Sequence, residues 1–314
     1  MKKVLVIFGL ILLAVIVIIA FFLIWASNRK FVPGNYTKRV ETGGEIEAAY
    51  LEAGPYGVSM YEEAVMQGFK KYIIYYPSEL ESEKKQHPAV VFANGSGCRV
   101  SKYPALLEHL ASWGFIAIGT EEEYDWSGFS SEMCVRYLIR LNGNERINGA
   151  KNIFYGKVNL DSVGITGHSQ GGVGVFNAIT VQEHSEIFRA AVSLSPTNKE
   201  LADALEWNYD AAKINTPILL ISGAGGGDDW VVTGEQLESI YNDIPGSKVM
   251  LRRVNTDHGA VLYSADGYVT AWFMWQLQGD EKAAKAFIGQ DAEILKNSLY
   301  QDQQVSIANY RIIL

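Results

Sequence analysis

The residues best suited to covalent chemistry in this chain are Gly167-His168-Ser169-Gln170-Gly171, a Gly-x-Ser-x-Gly pattern. It directly follows the apolar run 163–166 and opens a helical pattern through Val175, Phe176 and Ile179. A strand, a sharp turn and a helix in that order expose a serine hydroxyl at the carboxyl edge of a sheet. The glycines then have a steric role: the turn strains the serine backbone, and side chains at Gly167 or Gly171 would collide with the adjacent strand and helix. At ordinary glycine and serine usage the bare pattern arises by chance in roughly one chain of this length in ten, so its weight comes from its context.

A serine hydroxyl becomes nucleophilic only when a base takes its proton, which calls for a histidine oriented by a carboxylate. Of the five histidines, His168 adjoins the serine on a turn that points successive side chains apart, His109 and His184 lie in or beside helices, and His87 precedes a strand at the wrong edge. His258 remains, in the loop Asn255-Thr256-Asp257-His258-Gly259 after the last strand pattern, at the edge where open α/β sheets place their sites. The acid is expected between serine and histidine, beyond a strand end. The loop Gly223 to Trp230 offers Asp228, with Asp229 as the alternative; Asp228 is preferred because Trp230 and Val231 then pack the loop back down. A dinucleotide site is set aside, since Asp228 stands where that fingerprint needs its third glycine.

Attack on a carbonyl carbon builds negative charge on its oxygen, and backbone N–H groups aimed there stabilise it by about 3 kcal/mol each. The expected donors are the N–H of Gln170, just after the nucleophile, and that of Ser96 in the loop Asn94-Gly95-Ser96-Gly97-Cys98. Aromatic residues of loops at the same edge, Tyr124, Trp126, Trp230 and Tyr263, are candidates to line the substrate pocket.

Positioning these residues requires an alternation of strands and crossover helices. Short apolar runs at 72–76, 89–93, 115–119, 163–166, 190–194, 218–222 and 249–254 read as strands covered on both faces. Helical patterns fall at 103–113, where Pro104 suits a first turn and Gly114 a stop, and at 131–141, 170–181, 234–242 and 268–278, followed by an alanine-rich stretch from 281 to 299. The fold class is α/β, a mostly parallel central sheet with helices on both faces. The domain reading is an N-terminal anchor at 1–28, a linker at 29–50 and a catalytic domain at 51–314, with a first edge strand expected before about residue 65.

The chain thus resembles an α/β-hydrolase, within the branch of dienelactone hydrolases, chlorophyllase-like esterases and cutinase-related bacterial polyester hydrolases. The resemblance runs from about Gly54 to Phe287. It rests on Gly54-Pro55-Tyr56, on Tyr75-Tyr76-Pro77, on Leu110-Ala111-Ser112-Trp113-Gly114-Phe115, on the serine motif extended by Gly172, on Asp257-His258-Gly259, and on Thr270-Ala271-Trp272-Phe273. It implies a Ser-His-Asp triad, no metal or organic cofactor, and hydrolysis of small-molecule carboxylic esters through an acyl-enzyme. The same triad could serve an acyltransferase or a peptidase, and the fold could serve a non-catalytic scaffold. Two departures stand out: the polyester branch places an aromatic residue where this chain has Ser96, and often a methionine where it has Gln170. The stretch Gly225-Gly226-Gly227 also looks like an insertion before the acid.

Composition and charge narrow the partners. Hydrophobic residues make up 48% of the 314 and charged residues 20%, which excludes disordered and low-complexity classes. Setting aside Lys2, Lys3, Arg29 and Lys30 leaves 23 basic against 35 acidic residues, a net charge of −12 that disfavours nucleic acid. The run 4–25 has 22 residues without a charge, enough to cross a bilayer as a helix, since about 20 suffice. The expectation is a single uncleaved membrane anchor with the body extracytoplasmic, although flanking cations on both sides leave orientation open. Cys98 and Cys134 fit neither a zinc site nor a disulfide framework, and form either one bridge or two thiols.

Overall fold

The computed structural model describes residues 12–22, 25, 28–64 and 70–307. Residues up to Phe31 form one unit and those from Val32 onward another. In the first, 12–22 are helical and exposed. Much of the 4–25 run lies outside the described residues, and among those described no helix is long and apolar enough to cross a membrane.

The second unit is built on a nine-stranded sheet. Its strands are β1 (Val58–Ala64), β2 (Lys71–Pro77), β3 (His87–Ala93), β4 (Ile116–Thr120), β7 (Val158–His168), β8 (Phe188–Leu194), β9 (Ile218–Ala224), β10 (Lys248–Val254) and β11 (Tyr300–Ser306), while β5 (Arg146–Ile147) and β6 (Ala150–Lys151) form a separate small hairpin. The order is β1-β2-β4-β3-β7-β8-β9-β10-β11. The central strands β4 to β10 run parallel, and β1, β2 and β11 join antiparallel.

Continuous apolar strands bury both faces. Val91, Ile165 and Leu220 point into one core layer with the helices Phe129–Gly143, Gln170–Ala178 and Gly234–Asp243. Their neighbours Val90, Val192 and Leu219 point into the other, under the helices Pro104–Ser112 and Asp266–Gln278. Each predicted strand and crossover helix has its counterpart, most of them a few residues longer or shorter than the pattern suggested.

The structure differs from the pattern in three places. The edge strands β1 (VSMYEEA) and β11 (YQDQQVS) lack an apolar run, and β1 alternates between exposed and half-buried positions, so pairing rather than hydrophobicity defines them. The alanine-rich stretch holds only the short helix Glu281–Ala284 and a 3₁₀ turn, Glu293–Leu295. The segment expected as a linker belongs to the folded body from Val32: it carries the helix Glu45–Leu51, and Val32, Tyr36, Glu47 and Tyr50 are buried. Tyr36 donates its hydroxyl hydrogen to Asp266 and Tyr50 to Asp280 at 2.6 Å, partners 230 positions away that no local pattern could reveal.

Candidate active site

The strand β7 ends at His168 and the helix Gln170–Ala178 begins two residues later, leaving Ser169 at φ 61°, ψ −124°. A non-glycine residue in this region is strained and persists only where its surroundings impose it. The surroundings are tight. A Cβ on Gly167 would lie 2.3 Å from the Gly171 carbonyl oxygen, and one on Gly171 would lie 2.2 Å from that of Ala93. The Ser169 N–H donates to the Leu194 carbonyl at 2.9 Å, fixing the turn to β8.

His258 is the first residue of a helix, His258–Ser264, and not a loop residue as the sequence suggested; Asp257 caps it, its Oδ1 accepting the Ala260 N–H at 2.8 Å. Its Nδ1 lies 2.6 Å from Asp228 Oδ1, and among the described residues its Nε2 makes no hydrogen bond. The His258 ring lies against that of His168, centroids 4.4 Å apart, and the His168 Nε2–H donates to the His258 carbonyl at 2.7 Å. Burial, and then the neighbouring His258, push the His168 imidazole down to about 3, so it remains neutral there. The residue preceding the serine thus braces the backbone of the candidate base. Ser169 Oγ itself makes no hydrogen bond to a described residue; such contacts are often loose before substrate binds.

Between the two acids the contacts differ completely. Asp228 is fully buried, with Oδ1 on His258 and Oδ2 accepting from Ser195 Oγ at 2.8 Å and from the Gly223 N–H at 2.5 Å. Asp229 turns outward, half exposed, to the Arg252 guanidinium at 2.5 Å. Of the apolar pair expected to hold the loop down, Val231 is buried, but Trp230 is 68% exposed and its ring stands 5.3 Å from that of His258.

The two expected oxyanion donors flank the serine. A Cβ on Gly95 would lie 2.9 Å from the His168 carbonyl oxygen and 3.7 Å from Ser169 Cβ, so the loop carrying Ser96 runs against the elbow. Neither the Ser96 nor the Gln170 N–H donates to another group among the described residues. The buried Asn94 side chain anchors this loop, donating to the Thr120 and Glu122 carbonyls at 2.8 and 2.7 Å.

The aromatic candidates divide. Tyr124 and Trp126 are exposed on the loop between β4 and the helix Phe129–Gly143, which is tied to the serine helix where Asn177 Nδ2 donates to the Trp126 carbonyl at 2.8 Å. Trp230 borders the imidazole. Tyr263 is half-buried and packs edge-on against Tyr36 at 5.9 Å, against the second core layer. Under the elbow, Gly95, Cys98, His168, Leu194, Leu262 and Val269 help enclose an apolar cavity of about 40 Å³, well short of the ~150 Å³ that holds a benzene ring.

Sequence reasoning missed Ser195, Asn94, Arg252 and the bracing role of His168. Ser195 follows β8 at φ 41° and offered one faint signal, a polar residue at a strand's carboxyl end; the others act through contacts distant in sequence. Cys98 and Cys134 are free thiols in opposite core layers, which removes the bridge; burial pushes the Cys98 thiol up to about 12, which disfavours its thiolate. The described acidic group Glu132, Glu183 and His184 already embraces a cation, since Arg136 bonds to both glutamates.

Residues 35–304 match the PETase family, described as PET hydrolase-like. The chain is also 26% identical over 215 residues to a bis(hydroxyethyl) terephthalate hydrolase of Streptomyces coelicolor, an alignment covering 66% of this chain and 62% of that protein. The match therefore spans less than two thirds of the relative's length.

Proposed function

Because this chain belongs to the PET hydrolase-like family, we propose that it is a serine hydrolase that cleaves carboxylic esters through an acyl-enzyme on Ser169. The observation that carries the reading is the 2.6 Å contact between Asp228 and His258 Nδ1, which leaves Nε2 unoccupied next to a strained serine turn. In this mechanism His258 Nε2 takes the Ser169 proton as Oγ bonds to the acyl carbon. The carbonyl oxygen gains charge and is stabilised by the Ser96 and Gln170 N–H groups. Collapse of the intermediate breaks the bond to the alcohol, which leaves with the proton from His258. Water then attacks the acyl-enzyme by the same route in reverse and releases the acid. Asp228, held by Ser195 and Gly223, keeps the imidazole in the tautomer this requires.

The substrate class that the site favours is a small ester. The relative is named for bis(hydroxyethyl) terephthalate, itself a small diester. Ser96 and Gln170 replace the aromatic residue and methionine of the polyester branch, which removes apolar surface that would grip a polymer. Labelling of folded protein with a fluorophosphonate probe tests the mechanism: an adduct on Ser169 is expected, and its absence, with His258 intact, would favour a scaffold.

The apolar run is the basis for a proposed anchor. Leu12, Ile16, Phe21 and Phe22 are exposed on their helix, surface that water disfavours and a bilayer would cover. We place the body on the extracytoplasmic side. Carbonate extraction and protease accessibility of intact cells check both parts; release of the full chain by carbonate would remove the anchor.

A further inference from the structure

We propose that Arg252 is a positioning residue for the acid, gripping both ends of the loop that carries Asp228; the inference rests on the triad reading above. The loop leaves β9 at Ala224 and passes through Gly225, Gly226 and Gly227, with φ of 93°, 67° and 96°. A Cβ on Gly225 would meet nothing within 4 Å, and one on Gly227 only Trp230 at 4.0 Å. Gly226 packs against Asp257 and Thr256, where a Cβ would lie 2.9 Å from the Asp257 nitrogen, but the glycines on either side of it have backbone freedom that little neighbouring packing restricts. An acid that must hold an imidazole to within about 0.5 Å needs restraint from elsewhere.

Arg252 supplies that restraint from the neighbouring strand β10. Its side chain is 8% exposed. Its Nε and Nη2 donate to the Gly223 carbonyl at 3.1 and 2.9 Å, at the end of β9 where the loop departs, and Nη2 also donates to Asp229 Oδ1 at 2.5 Å, just past the acid. Nε further reaches Ser222 Oγ at 3.2 Å, and Nη1 reaches Asp302 Oδ2 at 3.4 Å on β11. The same Gly223 residue whose carbonyl Arg252 holds donates its N–H to Asp228 Oδ2 at 2.5 Å, so one peptide segment links guanidinium and acid. A planar fork with five donors holds a carbonyl and a carboxylate in a fixed mutual geometry, which a freely rotating ammonium does not impose. The strand that carries the clamp also runs on to His258, and the Asn255 N–H donates to the Ala224 carbonyl at 2.9 Å, tying the two loops at their roots. Base and acid are thereby referenced to a common support.

A double-mutant cycle separates this role from plain fold stabilisation, because residues acting through one another give non-additive losses. Arg252→Met is expected to lower kcat about 30-fold with KM within about twofold, as small misplacements of a catalytic group do. Arg252→Lys should recover part of that loss. Asp229→Ala, at a half-exposed side chain that the core does not need, keeps the fold intact and should lower kcat about threefold. In an Asp228→Asn background, Arg252→Met should add less than about a further twofold. Full multiplication of the two losses, or an effect on thermal midpoint alone, would overturn the clamp while leaving the triad standing. An Asp228→Asn variant with unchanged kcat would overturn both.

Discussion

Two of this molecule's carboxylate–imidazole pairs have buried carboxylates and yet opposite fates. Asp228 meets His258 Nδ1 at 2.6 Å, and Asp266 meets His109 Nδ1 at 2.8 Å. Both carboxylates are buried. The difference is at the other ring nitrogen. The His258 side chain is 19% exposed and its Nε2 is unoccupied, whereas the His109 side chain is 3% exposed and its Nε2–H donates to the Glu52 carbonyl at 3.0 Å. With the Asp266 carboxylate on one ring nitrogen and the Glu52 carbonyl on the other, this setting favours the doubly protonated imidazole. Burial, the largest single effect, opposes that charge, but the Asp266 charge and hydrogen bond together with the Glu52 and Leu51 carbonyls outweigh it and raise His109 above its ordinary value. A pair whose imidazole is already saturated cannot accept a serine proton. It can hold chain segments together, and here it joins the helix Pro104–Ser112 to Asp266–Gln278 and, through Tyr36, to the N-terminal segment.

The largest expected contrast is chemical. Ser169→Ala should reduce turnover of a short p-nitrophenyl ester by several orders of magnitude, of the order seen when a triad nucleophile is lost. Retained turnover would mean that the nucleophile lies elsewhere.

The next contrast sets the two acids against each other. Asp228→Asn should lower kcat about 10⁴-fold with the thermal midpoint little changed, since the wrong tautomer results while the geometry survives. Asp266→Asn should do the reverse: kcat within about twofold, and stability reduced by about 3 kcal/mol, because it strands a buried cation. Chemical denaturation alongside steady-state kinetics measures both; equal losses in kcat would dissolve the distinction drawn between the pairs.

A smaller effect is the pH dependence of stability. Because folding raises the His109 value above 6.5, its contribution is complete below pH 6.5 and declines as pH rises through the folded value. The thermal midpoint should therefore fall on going from pH 6 to pH 9, with a shallower fall in His109→Gln. Parallel curves for the two proteins would count against a charged His109. Smallest of all, Tyr263→Phe should leave kcat and KM of the ester unchanged within about twofold, as expected of a ring whose contact is with Tyr36 and whose hydroxyl makes no hydrogen bond among the described residues.

Local pattern carried much of the reading. The seven apolar strands, the serine between Gly167 and Gly171, and His258 beyond the last parallel strand are legible because strand burial, a tight turn and chain order leave marks within a few residues. The edge strands were harder, since β11 is polar and owes its conformation to β10.

Tertiary structure decided what depends on contacts between distant residues. Neighbouring aspartates, 228 and 229, have near-identical local context, and only Ser195, Gly223, His258 and Arg252 separate the buried one from the outward one. The segment from Val32 to Leu51 looks like a tether until Glu47 is seen accepting from Asn297 Nδ2 at 2.8 Å and Arg253 Nη1 at 3.2 Å. Hydrophobic periodicity records which face of an element is dry, and it does so residue by residue along the chain. It holds no record of which polar group meets which, because a hydrogen bond is specified by two positions whose separation the local sequence does not contain.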